Sequence, residues 1–92
     1  MKASKGRIVH VIVDPQSNNG DDTAPAIITR VWSDQCVNVR VLRDGFPSDS
    51  EWMTSVPLYE SREALEQDTP RPFGAFWPPR AEHQPGDRPP RY

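Results

Sequence analysis

Two short runs of β-forming residues, joined by a brief polar break, constrain the fold of this chain more than any other feature. The runs are AIITRVW at residues 26–32 and CVNVRVLR at residues 36–43, and the break is Ser-Asp-Gln at residues 33–35. Valine, isoleucine and threonine favour extended backbone, and a three-residue polar link between two such runs is typical of a β-hairpin. We therefore expect an antiparallel pair of strands here.

The alternation of side chains predicts which residues of this hairpin face each other. The predicted pairs are Val31–Val37, Thr29–Val39 and Ile27–Val41. They form one continuous β-branched face, which we expect to be the core, because successive side chains of a strand point to opposite sides. The other face would then carry Ile28, Arg30 and Trp32 across from Arg40, Asn38 and Cys36.

Arginines beside a large aromatic ring make this second face the candidate binding surface. The predicted patch is Arg30, Trp32, Asn38 and Arg40, with Trp52, Phe76 and Trp77 as secondary aromatic candidates. Guanidinium groups stack on tryptophan, and both residue types are enriched among interface anchors. The alternative is that these rings pack locally as a second small core beneath the C-terminal segment.

The rest of the chain adds short elements only. We predict strands at 6–13 and 52–56, a helical turn at 61–67 capped by Ser61, and a short closing strand at 74–77. Residues 14–25 are rich in turn formers and are expected to be an exposed, mobile loop. Pro57 suggests that the fourth strand ends there or lies at a sheet edge. The fold class is therefore all-β: a small SH3-like barrel or curled antiparallel sheet of four to five strands.

Proline content divides the chain. Seven of its 11 prolines lie in residues 68–92, and the last 13 residues, RAEHQPGDRPPRY, combine proline with charge. Such composition cannot bury enough apolar surface to order a segment. We expect one small β-barrel domain at 1–79 and a disordered tail at 80–92.

The charge pattern bears on the kind of partner. The formal net charge is −2, and residues 44–68 hold seven acidic residues against Arg62 alone. A nucleic-acid-binding protein usually has a basic balance, so a protein partner is expected rather than nucleic acid. One cysteine, and no apolar run of about 20 residues that could span a bilayer, favour a reducing cytoplasm without membrane association.

No residue set predicts catalysis, a metal site or a cofactor. Cys36 has only His10 and His83 as possible bases, and His83 lies in the expected tail. One cysteine and two distant histidines match no zinc spacing. The loop at 14–25 resembles a calcium loop superficially, but Asn19 stands where glycine is needed and Pro25 where glutamate is needed.

Several sequence blocks resemble a group of small proteins encoded by tailed bacteriophages and prophages. The blocks are GRIVH, PAIITRVWSDQCVNVRVLRDG, WMTSV and GAFWPP, in that order. The resemblance extends over most of the chain up to residue 79. It implies phage origin and no particular activity.

The opening GRIVHVIVDPQSNNGDDTAPAIIT is also similar to that of toxin endoribonucleases of the MazF type. In that family an arginine precedes the Pro-Ala pair and takes part in RNA cleavage, whereas this chain has Ala24. The resemblance implies an SH3-like barrel and not the cleavage activity.

The expected function is that of a non-enzymatic phage accessory protein, a small module that binds a protein in the bacterial cytoplasm, with a host protein as the candidate partner. The alternatives are a nucleic-acid-binding barrel and a minor virion component. A degenerate nuclease has the least support.

Overall fold

The computed structural model describes residues 2–44, 51–68 and 73–79 of the chain. In order, its elements are β1 (Ile8–Ile12), a 3₁₀ turn (Pro15–Ser17), β2 (Thr23–Ser33), β3 (Cys36–Val41), β4 (Glu51–Tyr59), α1 (Arg62–Asp68) and β5 (Ala75–Phe76). The tail predicted to be disordered, residues 80–92, lies outside the described residues. In the part of the chain that is described, no helix has both the length and the apolarity needed to cross a bilayer.

The five strands form a closed barrel in the order β1-β2-β3-β4-β5. The first four make an antiparallel meander, and β5 closes the barrel by pairing antiparallel with β1 and parallel with β4. The predicted small all-β barrel with one short helix is thus confirmed. Closure gives each strand a neighbour on both sides, which removes the unpaired edge that a small open sheet would expose.

Alternate residues of the strands fill the interior. Eight of the most deeply buried side chains are aliphatic residues of β1 to β4: Val9, Val11, Ala26, Ile28, Val37, Val39, Val41 and Val56. Each is at most 1% exposed. Burying a valine or isoleucine contributes about 1.5–3 kcal/mol, so this layer supplies much of the stability of so small a domain.

The hairpin register differs from the prediction at two of its three pairs. Val31 does lie opposite Val37, but Val39 faces Ile28 and Val41 faces Ala26. At two points β2 has one more residue than the β3 segment opposite it, between Ile28 and Arg30 and between Val31 and Ser33. A β-bulge of this kind reverses which face the following residues occupy. Ile28 therefore points inward, and the residues predicted for the core at 27 and 29 do not.

Strand β4 also departs from the prediction, because it does not end at Pro57. It continues to Tyr59, with Pro57 opposite Cys36. Ser55 has a left-handed backbone (φ 55°), which marks a bulge where β4 turns along the barrel. Beyond Pro57 the strand gains a second neighbour: the Leu58 N–H still donates to the Gln35 carbonyl next to β3 at 3.0 Å, while Leu58 pairs with Ala75 of β5.

Most residues of the loop between β1 and β2 are exposed, as predicted, but its Asn18 is buried and anchors the loop. Asn18 is only 2% exposed, and its Nδ2 donates to the carbonyls of Asp21 and Thr23, both at 2.8 Å. Its Oδ1 accepts the Asp44 N–H at 2.7 Å. One buried amide therefore joins this loop to the end of β3, and β2 begins at Thr23, earlier than predicted.

Helix α1 begins where its cap predicts. The Ser61 hydroxyl accepts the Ala64 N–H at 3.1 Å, as an N-cap does. Leu65 is fully buried beneath the helix, and Arg62 forms ion pairs with Asp22 and Glu66. The helix is thereby fixed to the outside of the barrel.

Candidate functional site

A row of outward-pointing residues crosses four neighbouring strands. Register places Ile8 beside Ile27, Ile27 beside Arg40, and Arg40 beside Trp52. Arg30 lies further along β2, beyond the bulge at Thr29, and is opposite Asn38 of β3. We name this surface the Trp–Arg face, and its members are Ile8, Ile27, Arg30, Trp32, Asn38, Arg40 and Trp52. It is the outside of the β2–β3–β4 sheet, so the four residues predicted as a patch do share one face.

Asn38 holds the centre of the Trp–Arg face by accepting three hydrogen bonds. Its Oδ1 takes the Trp32 Nε1–H at 2.9 Å, the Thr54 hydroxyl at 2.9 Å and the Ser55 N–H at 2.8 Å. Asn38 is only 6% exposed, although we predicted it as a surface binding residue. Its role in the structure is to orient Trp32 and to satisfy the bulge of β4.

Arg30 and Trp32 form a stacked pair. The guanidinium carbon lies 4.1 Å from the centre of the indole ring, well inside the range of a cation–π contact. Trp32 nevertheless remains 53% exposed. The hydrogen bond to Asn38 anchors one edge of the ring and the guanidinium covers part of one face, so the exposed remainder is held in a defined orientation.

Arg40 and Trp52 are adjacent across β3 and β4, and both are exposed. Trp52 is 53% exposed, the same fraction as Trp32. In the described part of the chain, no carboxylate forms an ion pair with Arg30 or Arg40. The face therefore combines two half-exposed indole rings with two arginines that lack an acidic partner there.

The other two aromatic candidates, Phe76 and Trp77, are buried at β5 and directly after it. Phe76 is 4% exposed and Trp77 is 5% exposed, so little of either ring is free, although both line a cleft of about 560 Å³ beside the start of α1. Their role as binding candidates stays a prediction. Phe76 packs edge to face on His10 with ring centres 5.7 Å apart. Trp77 belongs to the main core, and Arg7 lies 5.4 Å over its ring.

Sequence reasoning missed several residues of this surface. Ile8 and Ile27 extend it across β1 and β2, and Ile8 is 45% exposed. Thr54 and Ser55 form the polar clamp on Asn38. The alternation in the β1 run places Ile8 on the side opposite the buried Val9, which is a usable signal, but the polar clamp depends on a bulge that local sequence does not indicate.

The described residues contain no cluster of three or more His, Cys, Asp or Glu side chains that could hold a metal ion. His10 lies beside Pro25 and Phe76, and Cys36 lies beside Pro57, so the two are in different parts of the barrel. Ala24, the residue that departs from the toxin pattern, is 1% exposed and faces the interior. His83 is outside the described residues.

The perturbed titrating groups lie around α1 and not on the Trp–Arg face. Arg62 lowers the pKa of Asp22 by donating hydrogen bonds to its carboxylate, an effect that outweighs partial desolvation. The Tyr59 hydroxyl donates to Asp68 at 2.7 Å, and this bond raises the pKa of Tyr59. These are structural ion-pair and hydrogen-bond effects on exposed groups.

A cleft of about 830 Å³ lies between the hairpin tip, the end of β4 and α1, with Asp34, Tyr59 and Asp68 among its lining residues. None of the predicted site residues lines it. The Trp–Arg face is by contrast an open sheet surface, and a concave pocket is what small ligands require. An open surface with exposed rings suits a macromolecular partner.

No protein-family model, no curated protein and no solved structure matches this chain.

Proposed function

We propose that this chain is a non-enzymatic, phage-encoded accessory protein that binds a protein through its Trp–Arg face, with a host bacterial protein in the cytoplasm as the partner. The observation that carries the proposal is the pair of tryptophans, Trp32 and Trp52, each 53% exposed on the same side of a closed barrel. The phage resemblance supports the origin and the host setting.

By leaving two tryptophans half exposed, this small domain forgoes burial that would otherwise stabilise it. A tryptophan buries up to about 150–250 Å² of surface when packed, and here the chain leaves half of two such side chains in water while burying a third, Trp77. Tryptophan and arginine are the residue types that most often dominate binding energy at interfaces. Their concentration on one face supports a binding role for that face.

The Trp32 ring is also oriented before any partner binds. Asn38 and Arg30 restrain Trp32 from two directions, at 2.9 Å and 4.1 Å. Side chains already ordered in the free protein lose less conformational entropy on binding. This arrangement favours recognition by a preformed surface.

The test is capture of host proteins from a bacterial lysate by the tagged full chain, quantified by mass spectrometry. The variants are Trp52→Ala and Arg40→Ala, because neither side chain forms a hydrogen bond or ion pair with another described residue. Phe73→Ala is the matched control, since Phe73 is 52% exposed but lies before β5, off the Trp–Arg face.

A host protein retained by the wild type and Phe73→Ala, and lost by Trp52→Ala and Arg40→Ala, is the expected result. Loss of a hot-spot residue should reduce affinity by at least about tenfold. Equal retention by all four proteins, each confirmed as folded by circular dichroism, would show that the face is not the binding surface.

A second candidate function, nucleic-acid binding, is favoured by the same stacked Arg30–Trp32 pair. Bases stack on exposed aromatic rings, and arginines contact phosphates. The net charge of −2 opposes it. Recovery of nuclease-sensitive nucleic acid alone from the lysate would support this function in place of protein binding.

A further inference from the structure

Four of the five arginines in the described chain differ in whether a carboxylate pairs with them. Arg43 pairs with Glu51 at 2.7 Å, and Arg62 pairs with both Asp22 and Glu66. Arg30 and Arg40, both on the Trp–Arg face, have no carboxylate partner among the described residues. This contrast arises in a chain with 13 acidic residues and only 11 basic ones.

The surroundings of the face add to its positive charge. Lys5 lines the same shallow hollow as Arg30, beside the bulge of β2. The acidic residues near α1 are engaged elsewhere: Asp22 and Glu66 with Arg62, and Asp68 with Tyr59. The face is thus a local positive surface on a protein that is acidic as a whole.

Resting on the proposed function, we propose that the partner presents a short acidic segment with an apolar anchor, and that its carboxylates pair with Arg30 and Arg40. A guanidinium offers its N–H edge to a carboxylate while its flat face stays on an aromatic ring. Arg30 therefore keeps its stack on Trp32 when it binds the partner.

The strand positions of Arg30 and Arg40 determine the spacing expected between the acidic residues of the partner. Arg30 lies opposite Asn38, and Arg40 is two residues further along β3. Residues in such a diagonal relation across two strands are about 7–8 Å apart. Side chains at positions i and i+2 of an extended segment lie on one side at about 6.4–6.8 Å, so an acidic-x-acidic pattern in extended conformation matches the two arginines.

The apolar part of the segment follows from what flanks Arg40. Ile27 lies on one side of it and Trp52 on the other. An aromatic or aliphatic side chain next to the acidic pair would therefore cover exposed indole while the carboxylates bind. Desolvation of the neighbouring rings strengthens the charge pairing, because the pair is then less screened by water.

A long polyanion fits this surface less well than a short segment. Asp34 stands at the hairpin tip, two residues beyond Trp32, and Glu51 immediately precedes Trp52. A nucleic acid extending past the hairpin tip would approach the Asp34 carboxylate, while at the other end the charge of Glu51 is balanced by Arg43 at 2.7 Å. The acidic protein segment is accordingly the occupant we infer, and nucleic acid is an outcome that the test distinguishes.

The test uses a displayed library of random 12-residue peptides selected on the immobilised full chain. Selected peptides are synthesised, and their affinity for the wild type, Arg40→Gln, Trp52→Ala and Lys2→Gln is measured by fluorescence anisotropy. Lys2→Gln is the matched control, because it removes one positive charge from an exposed residue that lines the cleft near α1 and not the face. A dT12 oligonucleotide is measured in parallel.

Enrichment of acidic-x-acidic peptides with an adjacent Trp, Phe, Leu or Ile is the expected result. Their binding should weaken about tenfold or more in Arg40→Gln and in Trp52→Ala, and less than about twofold in Lys2→Gln, as expected for hot-spot and remote residues respectively. Moving the two acids next to each other should also weaken binding, because adjacent side chains of an extended segment point to opposite sides.

Other outcomes overturn the inference in distinguishable ways. Neutral or basic peptides that depend on Trp52 would overturn the acidic partner and leave the proposed binding face intact. If the affinity of acidic peptides is the same for the wild type, Arg40→Gln and Trp52→Ala, then the Trp–Arg face is not the binding surface, and both the proposed function and this inference are refuted. Tighter binding of dT12 than of any peptide, or no selected peptide at all, would also overturn the acidic segment.

Discussion

The substitution Asn38→Ala offers the sharpest check on how the Trp–Arg face is built. Asn38 Oδ1 accepts hydrogen bonds from Trp32, Thr54 and Ser55, and the residue is 6% exposed. Alanine removes the acceptor from all three donors at once. No other side chain on this face serves three partners.

The expected cost follows from what each donor can do afterwards. A hydrogen bond contributes about 0.5–1.5 kcal/mol net to stability. Trp32 and Thr54 are exposed residues, so in the variant their N–H and O–H groups can donate to water instead, and the loss of each bond should cost an amount at the low end of this range. The Ser55 N–H belongs at the high end, because that residue has a left-handed backbone (φ 55°) which the bond to Asn38 helps to hold. We expect Asn38→Ala to lower the free energy of unfolding by about 2–3 kcal/mol.

The matched variant Asn38→Asp keeps an acceptor oxygen at the same place. Its carboxylate can accept all three bonds, and Arg30 lies opposite it on β2. Hydrogen bonds to a charged acceptor are stronger than neutral ones. We therefore expect Asn38→Asp to stay within about 1 kcal/mol of the wild type at neutral pH, since the bonds are preserved at the cost of a partly buried charge.

Thermal unfolding followed by far-ultraviolet circular dichroism measures both variants, because tryptophan fluorescence would report the change at Trp32 itself. For a domain of 60–100 residues, 1 kcal/mol shifts Tm by about 4–8 °C, so Asn38→Ala should lose roughly 10–20 °C. A loss below about 3 °C would refute the account of Asn38 as the organiser of the face. An equal loss in Asn38→Asp would show that the amide group, and not the acceptor, is what matters.

Four further outcomes are expected. Val39→Ala should lower the free energy of unfolding by about 1–3 kcal/mol, because it removes buried methyl groups, whereas Arg40→Ala should change it by less than about 0.5 kcal/mol, as substitution of an exposed residue does. Urea titration compares the two variants. An Arg40→Ala protein that fails to fold would show that this arginine has a structural role. Ser55→Gly should be neutral or stabilising by up to about 1 kcal/mol, because glycine adopts a positive φ without strain, while Ser55→Val should destabilise; the reverse order in the same titration contradicts the assigned bulge. Because Arg62 lowers the pKa of Asp22 in the folded state, the Asp22–Arg62 pair stabilises the fold fully above the ordinary carboxyl pKa of 3.8, and this stabilisation is lost as the pH falls through the lower folded-state pKa. Asp22→Asn should therefore reduce the acid-induced drop in Tm. An unchanged dependence of Tm on pH would count against the pair. Incubation with mixed-sequence RNA should leave the RNA intact, since Ala24 is buried where the toxin pattern has arginine, and cleavage abolished by a single substitution would reverse this expectation.

The class of fold was predictable because it depends on local chemistry repeated along the chain. Runs such as VHVI and CVNVRV favour extended backbone, turn formers separate them, and no segment has the periodicity of a long helix. The N-cap at Ser61 and the pairing of Val31 with Val37 follow from the same local rules. Each of these features needs information from only a few neighbouring residues.

The details of the Trp–Arg face could not be predicted in the same way. Ile27 and Ile28 are both apolar, so alternation alone permits either one to face the core. The bulge at Thr29 selects Ile28, and a bulge is decided by how β2 must bend against β3 in the closed barrel. The same holds for the continuation of β4 through Pro57, because it depends on pairing with β3 up to Pro57 and with β5 from Leu58 onward.

The division of the aromatic rings depends most fully on tertiary structure. Trp32, Trp52 and Trp77 are the same residue type in similar local sequence, each next to strand-forming residues. Trp77 is buried where the chain closes the barrel beside β4, while the other two lie on the outside of the sheet and stay 53% exposed, Trp32 with the Arg30 guanidinium over part of its ring. Composition and alternation determine that this chain makes a small barrel with an aromatic, arginine-bearing strand pair. Which rings are core and which are surface is decided only when the strands close, because burial depends on contacts between residues distant in sequence.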